Sequence, residues 1–186
     1  MRAMIAQVIK AAMLNRQVFR RLHEDPDAIL HALGAVILAG IALGLGRMGV
    51  VVDITEVALD LGSLVDRLLG IWLSIMTAMV GWVLWGVVVD QLGSRFLGGS
   101  AGYRLTLRAL GLCYGPAVLL TLITVPVVGV PASAIGALWV LVVGVVAVRE
   151  IQDSDWMGAA LSTIPGWILG FLVLPVAFLG SLTRGG

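Results

Sequence analysis

Two short patterns in the chain have the residue types and spacing of chemical sites. Gly44-Leu45-Gly46-Arg47-Met48-Gly49 fits G-x-G-x-x-G, the turn between a strand and a helix whose glycines let backbone approach a pyrophosphate. Gly98-Gly99-Ser100-Ala101-Gly102 fits G-x-S-x-G, the sharp turn that presents a nucleophilic serine to a histidine base. Neither has the setting its chemistry needs. The first closes a long apolar run and reads as a helix stop. The second lies in a glycine-rich loop, and both histidines, His23 and His31, precede the second apolar run. The one cysteine, Cys113, sits inside an apolar stretch, which leaves neither a disulfide framework nor a cysteine metal site. His31 is the single candidate ligand, for a haem or chlorophyll-type metal, and its plainer reading is a hydrogen-bonded residue at a helix end. No resident cofactor or metal is expected, and no catalysis.

The elements that must position these residues follow from composition. Of 186 residues, 60% are apolar and 12% charged, against about 45–50% and about 25% in a soluble domain. A soluble fold this small cannot hide that much apolar surface, so lipid must cover it. A net charge of +1 offers no clustered basic face for nucleic acid. The start is not a cleavable signal: Lys10 and Arg16 interrupt it, and the N-terminus is expected to be retained.

A helix crossing about 30 Å of hydrocarbon needs about 20 apolar residues. Runs free of Asp, Glu, Lys and Arg extend over Ala28–Gly46, Leu68–Val89, Ala109–Val148 and Trp156–Thr183. The third is forty residues long, about 60 Å of helix at about 1.5 Å per residue, twice the hydrocarbon thickness. It must turn back, and Val125-Pro126-Val127-Val128-Gly129-Val130-Pro131 supplies the breakers. The fold class is therefore an all-α integral membrane protein with five transmembrane helices, spanning about 28–47, 68–91, 106–125, 131–149 and 156–181. An N-terminal amphipathic segment, 1–24, precedes a 25–186 bundle. Pro165 and Pro175 are expected to bend the fifth span. Lysines and arginines divide nine to three between alternate loops, which predicts a cytoplasmic N-terminus and an outside C-terminus in a cytoplasmic (inner) membrane.

Met4, Ile5, Val8, Ile9 and Ala12 share a helical stripe opposite Gln7 and Lys10. With Arg2, Lys10, Arg16, Arg20 and Arg21 and no acid up to that point, the segment suits anionic lipid; packing across the end of the bundle is the alternative. A break is expected near Asn15 and Arg16. Asp25-Pro26-Asp27 reads as a helix start, and Asp153 or Ser154 is expected to cap the fifth span. Val50–Leu64 reads as a short interfacial helix. Of the six tryptophans, Trp156 and Trp72 fall where an interfacial belt sits, and Trp82, Trp85, Trp139 and Trp167 read as packing residues.

No span carries an ionisable residue at its middle, as transporters and pumps usually do. Packing chemistry is what the spans do carry. Gly40 with Gly44, Gly111 with Gly115 and Gly166 with Gly170 each make a G-x-x-x-G pair, which lets helix backbones approach closely in lipid. These faces serve the bundle itself or a partner.

Several stretches together resemble the Yip-domain family, the Ypt/Rab-interacting membrane proteins and their bacterial relatives. They are the leader Leu14–Leu22, Asp25-Pro26, Tyr103-Arg104-Leu105, Leu110-Gly111-Leu112-Cys113-Tyr114-Gly115-Pro116, Val125-Pro126-Val127-Val128-Gly129 and Val148-Arg149-Glu150. The resemblance covers residues 14 to about 175. It implies a five-helix bundle with a cytoplasmic N-terminus, and marks Tyr114, Gly115, Pro116, Pro126 and Gly129 as family-like motif residues. Eukaryotic members look like adaptors for Rab GTPases; this chain lacks their long acidic and aromatic N-terminal region and looks closer to short bacterial members. The function expected is a non-enzymatic membrane interaction or organising protein whose partners are the lipid bilayer and other membrane proteins, a second copy of itself included. The alternatives are an accessory subunit of a respiratory or photosynthetic membrane complex, touching a pigment or haem through His31, and a small-solute transporter.

Overall fold

The computed structural model describes residues 2–47, 61–96, 101–123 and 125–174. Seven α-helices lie there: α1 (Arg2–Ala12), α2 (Arg16–Arg20), α3 (Ala28–Arg47), α4 (Leu61–Phe96), α5 (Tyr103–Leu112), α6 (Gly129–Gln152) and α7 (Trp156–Ile168). A 3-10 turn covers Arg21–His23, a 3-10 segment covers Gly115–Leu122, and a π-helical turn, Leu169–Val173, extends α7. No strand occurs among the described residues. The interfacial helix expected at Val50–Leu64 falls almost wholly outside them, as do Met48, Gly49, Gly98–Ser100, Thr124 and Pro175; α4 begins at Leu61.

Four helices (α3, α4, α6 and α7) are long and apolar enough to cross a bilayer. A fifth candidate is a bent pair: α5 and the 3-10 segment meet at 45° and together are apolar enough to make one more crossing. A Cβ on Gly93 would strike Gln152, so the C-terminal ends of α4 and α6 lie together. A Cβ on Gly46 would strike the Leu120 carbonyl, so the end of α3 meets the end of the 3-10 segment. The protein is an all-α, multi-pass membrane protein.

The bend has a local cause. Pro116 lacks an N–H and its ring cannot sit against the carbonyl four residues back, that of Leu112. The chain answers by tightening: the N–H of Cys113 donates to the Leu110 carbonyl at 3.1 Å, that of Tyr114 to Gly111 at 3.2 Å, and that of Ala117 to Tyr114 at 2.9 Å. These are three-residue steps. A 3-10 helix rises about 2.0 Å per residue against about 1.5 Å, so the eight residues of the 3-10 segment reach further than eight residues of α-helix would.

The hairpin that follows is tighter than a proline-glycine-proline turn suggests. The Val128 N–H donates to the Pro126 carbonyl at 2.7 Å around Val127, whose φ is +67°. This is a γ-turn of the rarer, strained hand. Helix α6 then starts at Gly129, where a Cβ would meet the Leu122 and Ile123 carbonyls. Pro131 lies inside the first turn of α6, where its missing N–H has no bond to lose.

The core threads through α3, α4, α5, the 3-10 segment, α6 and α7. Trp85, Val36, Leu110, Ala117, Val140 and Ala159 belong to one buried cluster. Trp85, with no exposed surface, stands 6.1 Å from both the Tyr114 and Phe171 ring centres, and Phe171 stacks on Trp167 at 5.8 Å. The buried indoles also act as polar staples. Trp82 donates to the Leu107 carbonyl at 3.0 Å, Trp85 to Thr163 at 2.9 Å and Trp167 to Ala137 at 3.0 Å. Each bond joins two different helices where water cannot supply a partner.

Candidate functional site

Two features stand out from the scaffold: the glycine contacts between helices and the N-terminal segment fastened to one end of the bundle.

The six paired glycines all face neighbours within the chain. A Cβ on Gly40 would lie 2.6 Å from the Ile75 Cα, and one on Gly44 would lie 2.9 Å from the Ile71 Cα, so α3 and α4 touch backbone to backbone. Gly111 faces Ala32 on α3, with the Ala32 Cα at 2.9 Å, and Gly115 faces Val8 on α1, at 2.6 Å from its Cγ1. Gly166 sits against the Trp85 indole and backbone. Gly170 and Gly81 face each other, with carbonyl oxygens 3.1–3.2 Å from the positions a Cβ would take. Gly170 lies in the π-helical turn, so the second half of that pair is not on regular helix. Among the motif residues, Tyr114 is buried against Trp85 and Phe171, Pro116 makes the bend, and Pro126 and Gly129 form the hairpin.

The N-terminal segment packs on the bundle. Met4 Sδ lies 2.5 Å from where a Cβ on Gly34 would sit, and Val8 covers Gly115. The Trp139 indole donates to the Ala12 carbonyl at 2.9 Å, giving the C-terminus of α1 a partner for one of its open carbonyls. The chain then turns through Leu14 (φ +59°), and the Asn15 side chain caps α2 by accepting from the Gln17 N–H at 3.1 Å. Phe19 and Leu22 are buried below α2. On the flank turned away from the bundle, Ile5, Ile9 and Met13 stay exposed.

A charged clamp fixes α2. Glu150 is 5% exposed and receives Arg20 Nε at 2.8 Å, with Arg16 Nε at 3.6 Å and an Arg149 terminal nitrogen at 3.5 Å. The Arg149 guanidinium lies 4.4 Å from the centre of the Trp156 ring, and Arg16 lies 5.6 Å from it. Such stacking over an indole is favourable for arginine. Arg16 and Arg20, expected as lipid contacts, thus face a buried carboxylate. Lys10 and Arg21 carry no ion pair among the described residues, and the Arg2 side chain falls outside them.

A second polar chain lies where α1 meets the start of α3. Gln7 Nε2 donates to Asp25 Oδ2 at 2.7 Å, and His31 Nδ1 lies 2.8 Å from Gln7 Oε1. Because the Gln7 amide nitrogen is committed to the carboxylate, its oxygen accepts and His31 Nδ1 is the donor. Asp25 Oδ1 also accepts from the Asp27 N–H at 2.9 Å. The Gln7 bond holds the Asp25 carboxyl below its ordinary 3.8, with His31 and Arg108 adding to the effect. His31 is therefore engaged with protein. No group of three or more potential metal ligands occurs among the described residues.

At the start of α7 the cap is Asp155, which accepts from the Gly158 N–H at 2.8 Å. Asp153, expected as a cap, instead ends α6 in the left-handed region at φ +51°. Ser154 Oγ is buried without a partner.

A family model described as the Yip1 domain matches residues 11–177. The chain belongs to the Yip1-domain family. No curated protein and no solved structure matches it. Within the Yip1 domain fall all of α2, the Asp25–Pro26 start, the bent crossing and Glu150. Most of α1, Gln7 and Lys10 included, lies before the matched residues.

Sequence reasoning missed the clamp and the Gln7–His31 contact, because both join residues far apart in the chain. Glu150 carried one available signal: it is an acid directly after Arg149 at the end of an apolar run, facing a leader rich in arginine.

Proposed function

We propose that this Yip1-domain protein is a non-enzymatic interaction or organising protein of the cytoplasmic membrane, and that its interacting surface is the N-terminal segment. One observation carries the reading: the glycine contacts are consumed inside the bundle, while α1 and α2 are fastened to it with polar and charged side chains left outward. A scaffold closed by its own glycines offers lipid a side wall. A clamped segment at its end offers a partner a fixed, charged platform. The nine-to-three division of lysine and arginine supports a cytoplasmic N-terminus and an outside C-terminus. His31 is held by Gln7, so the feature that favoured a pigment-bearing accessory subunit has a structural use of its own.

Site-specific photo-crosslinking in native membranes tests the proposal. A probe at exposed His23 should give a discrete protein adduct, and a probe at Leu38 on the outer face of α3 should give lipid adducts. Protein adducts at Leu38 and none at His23 would place the interface on the helix faces and overturn the reading.

A further inference from the structure

Between α1 and the α2 turn lies a pocket of about 350 Å³, within the roughly 300–1,000 Å³ range of small-ligand sites. Gln7 and Lys10 form one wall; Asn15, Arg21, Glu24 and Asp25 stand around the other. Its charge is mixed. Lys10, Arg21 and Glu24 have no ion-pair partner among the described residues, in contrast to Arg16 and Arg20, which face Glu150. Asp25 is engaged on one oxygen by Gln7 and on the other by the Asp27 N–H, and a carboxylate retains further acceptor capacity.

The pocket also has a defined place relative to apolar surface. On a helix of 3.6 residues per turn, Met4, Val8 and Ala11 face the bundle, Gln7 and Lys10 face the pocket, and Ile5, Ile9 and Met13 form the opposite, exposed flank. A helix with one flank apolar and exposed and the other polar lies at the boundary between acyl chains and head groups. A helix α1 seated in this way would open the pocket at head-group level.

We propose that this pocket holds the head group of a zwitterionic phospholipid bearing a primary ammonium, phosphatidylethanolamine by chemistry. The phosphate lies against Lys10 and Arg21 and the ammonium against Glu24 and Asp25. A purely anionic head group would meet the two carboxylates, and a purely cationic ligand the two cations; a dipolar group satisfies both. The ammonium has three N–H donors for the carboxylates, and the trimethylated head group of phosphatidylcholine has none. The proposal rests on the functional reading above, in which the N-terminal segment is the interacting surface, and adds that this segment lies at the bilayer surface.

The test uses the full chain purified in mild detergent, with native mass spectrometry against equimolar phosphatidylethanolamine, phosphatidylcholine and phosphatidylglycerol. Glycerophosphoethanolamine and inorganic phosphate, added separately, distinguish a membrane lipid from a soluble phosphate as the source. The wild-type chain should retain phosphatidylethanolamine preferentially. Lys10→Ala with Arg21→Ala should cut retention roughly twenty-five-fold, at about fivefold for each basic residue. Glu24→Gln should remove the preference over phosphatidylcholine and phosphatidylglycerol while leaving phosphate-dependent retention. All three side chains are exposed, and unchanged circular dichroism checks that the fold is kept. Equal retention of the three lipids by wild type, a preference unmoved by both variants, or competition by inorganic phosphate alone would overturn the proposal. Quenching of a fluorophore at Ile9 by brominated lipid in liposomes separates the two readings. Quenching without head-group selectivity defeats this site alone, and absence of quenching defeats the placement of α1 at the bilayer as well.

Discussion

The seam between α4 and α7 allows a graded prediction from geometry. A Cβ on Gly166 would overlap the Trp85 indole and come within 3.1 Å of its carbonyl oxygen and 3.2 Å of its Cα. None of these can yield cheaply: the indole is fully buried and bonded to the Thr163 carbonyl at 2.9 Å, and the other two atoms are helix backbone. On Gly170 the nearest atoms, from Gly81, lie at 3.1–3.5 Å, a contact relieved by a few tenths of an ångström. Against both changes stands the gain of about 1 kcal/mol from replacing glycine by alanine in a helix. Overpacking costs about 1–3 kcal/mol. Gly170→Ala should therefore be near neutral, and Gly166→Ala should cost about 2 kcal/mol net, up to about thirtyfold in the folded-to-unfolded ratio. Unfolding of the purified protein in mild detergent by increasing dodecyl sulfate, followed by tryptophan fluorescence, measures both. Trp85 reports directly. If Gly166→Ala proves no less stable than Gly170→Ala, close approach at Trp85 is not what holds α7 in place.

Three further outcomes are expected. Glu150→Gln should cost about 1–2 kcal/mol, since the buried carboxylate loses its charge but the arginines it faces are partly solvated; limited proteolysis should then cut within residues 12–24 faster than in wild type. Asp25 has a folded-state pKa below its ordinary 3.8, so its contribution to stability is complete above the carboxylate range and is lost as the pH falls below that value; Gln7→Ala should flatten this acid dependence, read as amide exchange of α1 between pH 6 and pH 3. Val127→Gly should stabilise by about 0.5–1 kcal/mol, because Val127 is 93% exposed and gives up only its strained φ, less the greater freedom of glycine in the unfolded chain; thermal unfolding in detergent measures it.

What could be read from the sequence was whatever depends on runs and breakers. Apolar stretches near Ala28, Leu68 and Trp156 mark helices because a crossing must satisfy its own backbone. Val125–Pro131 marks a reversal because a forty-residue run exceeds the bilayer. Composition cannot distinguish α-helix from 3-10 helix, so Gly115–Leu122 was legible as a crossing and not as a stretched one, although Pro116 stood in plain view as its cause. The amphipathic pattern of α1 is the same whether lipid or protein covers the stripe. In the structure protein covers Met4 and Val8, and Ile5 and Ile9 stay exposed. The pairing of Arg16 and Arg20 with Glu150 needed the third dimension, since 130 residues separate Arg20 from its partner.

The indole staples carry a consequence for biosynthesis. Trp85 donates to Thr163, 78 residues later in the chain, and Trp82 and Trp167 likewise bond to other helices. A nascent chain inserted as far as α4 thus holds the Trp82 and Trp85 indole N–H groups in a medium with no water to satisfy them. The first finds its acceptor when α5 arrives, 25 residues on; the second waits for α7. These bonds predict that α4 settles fully among its neighbours only once α7 has emerged to close the seam.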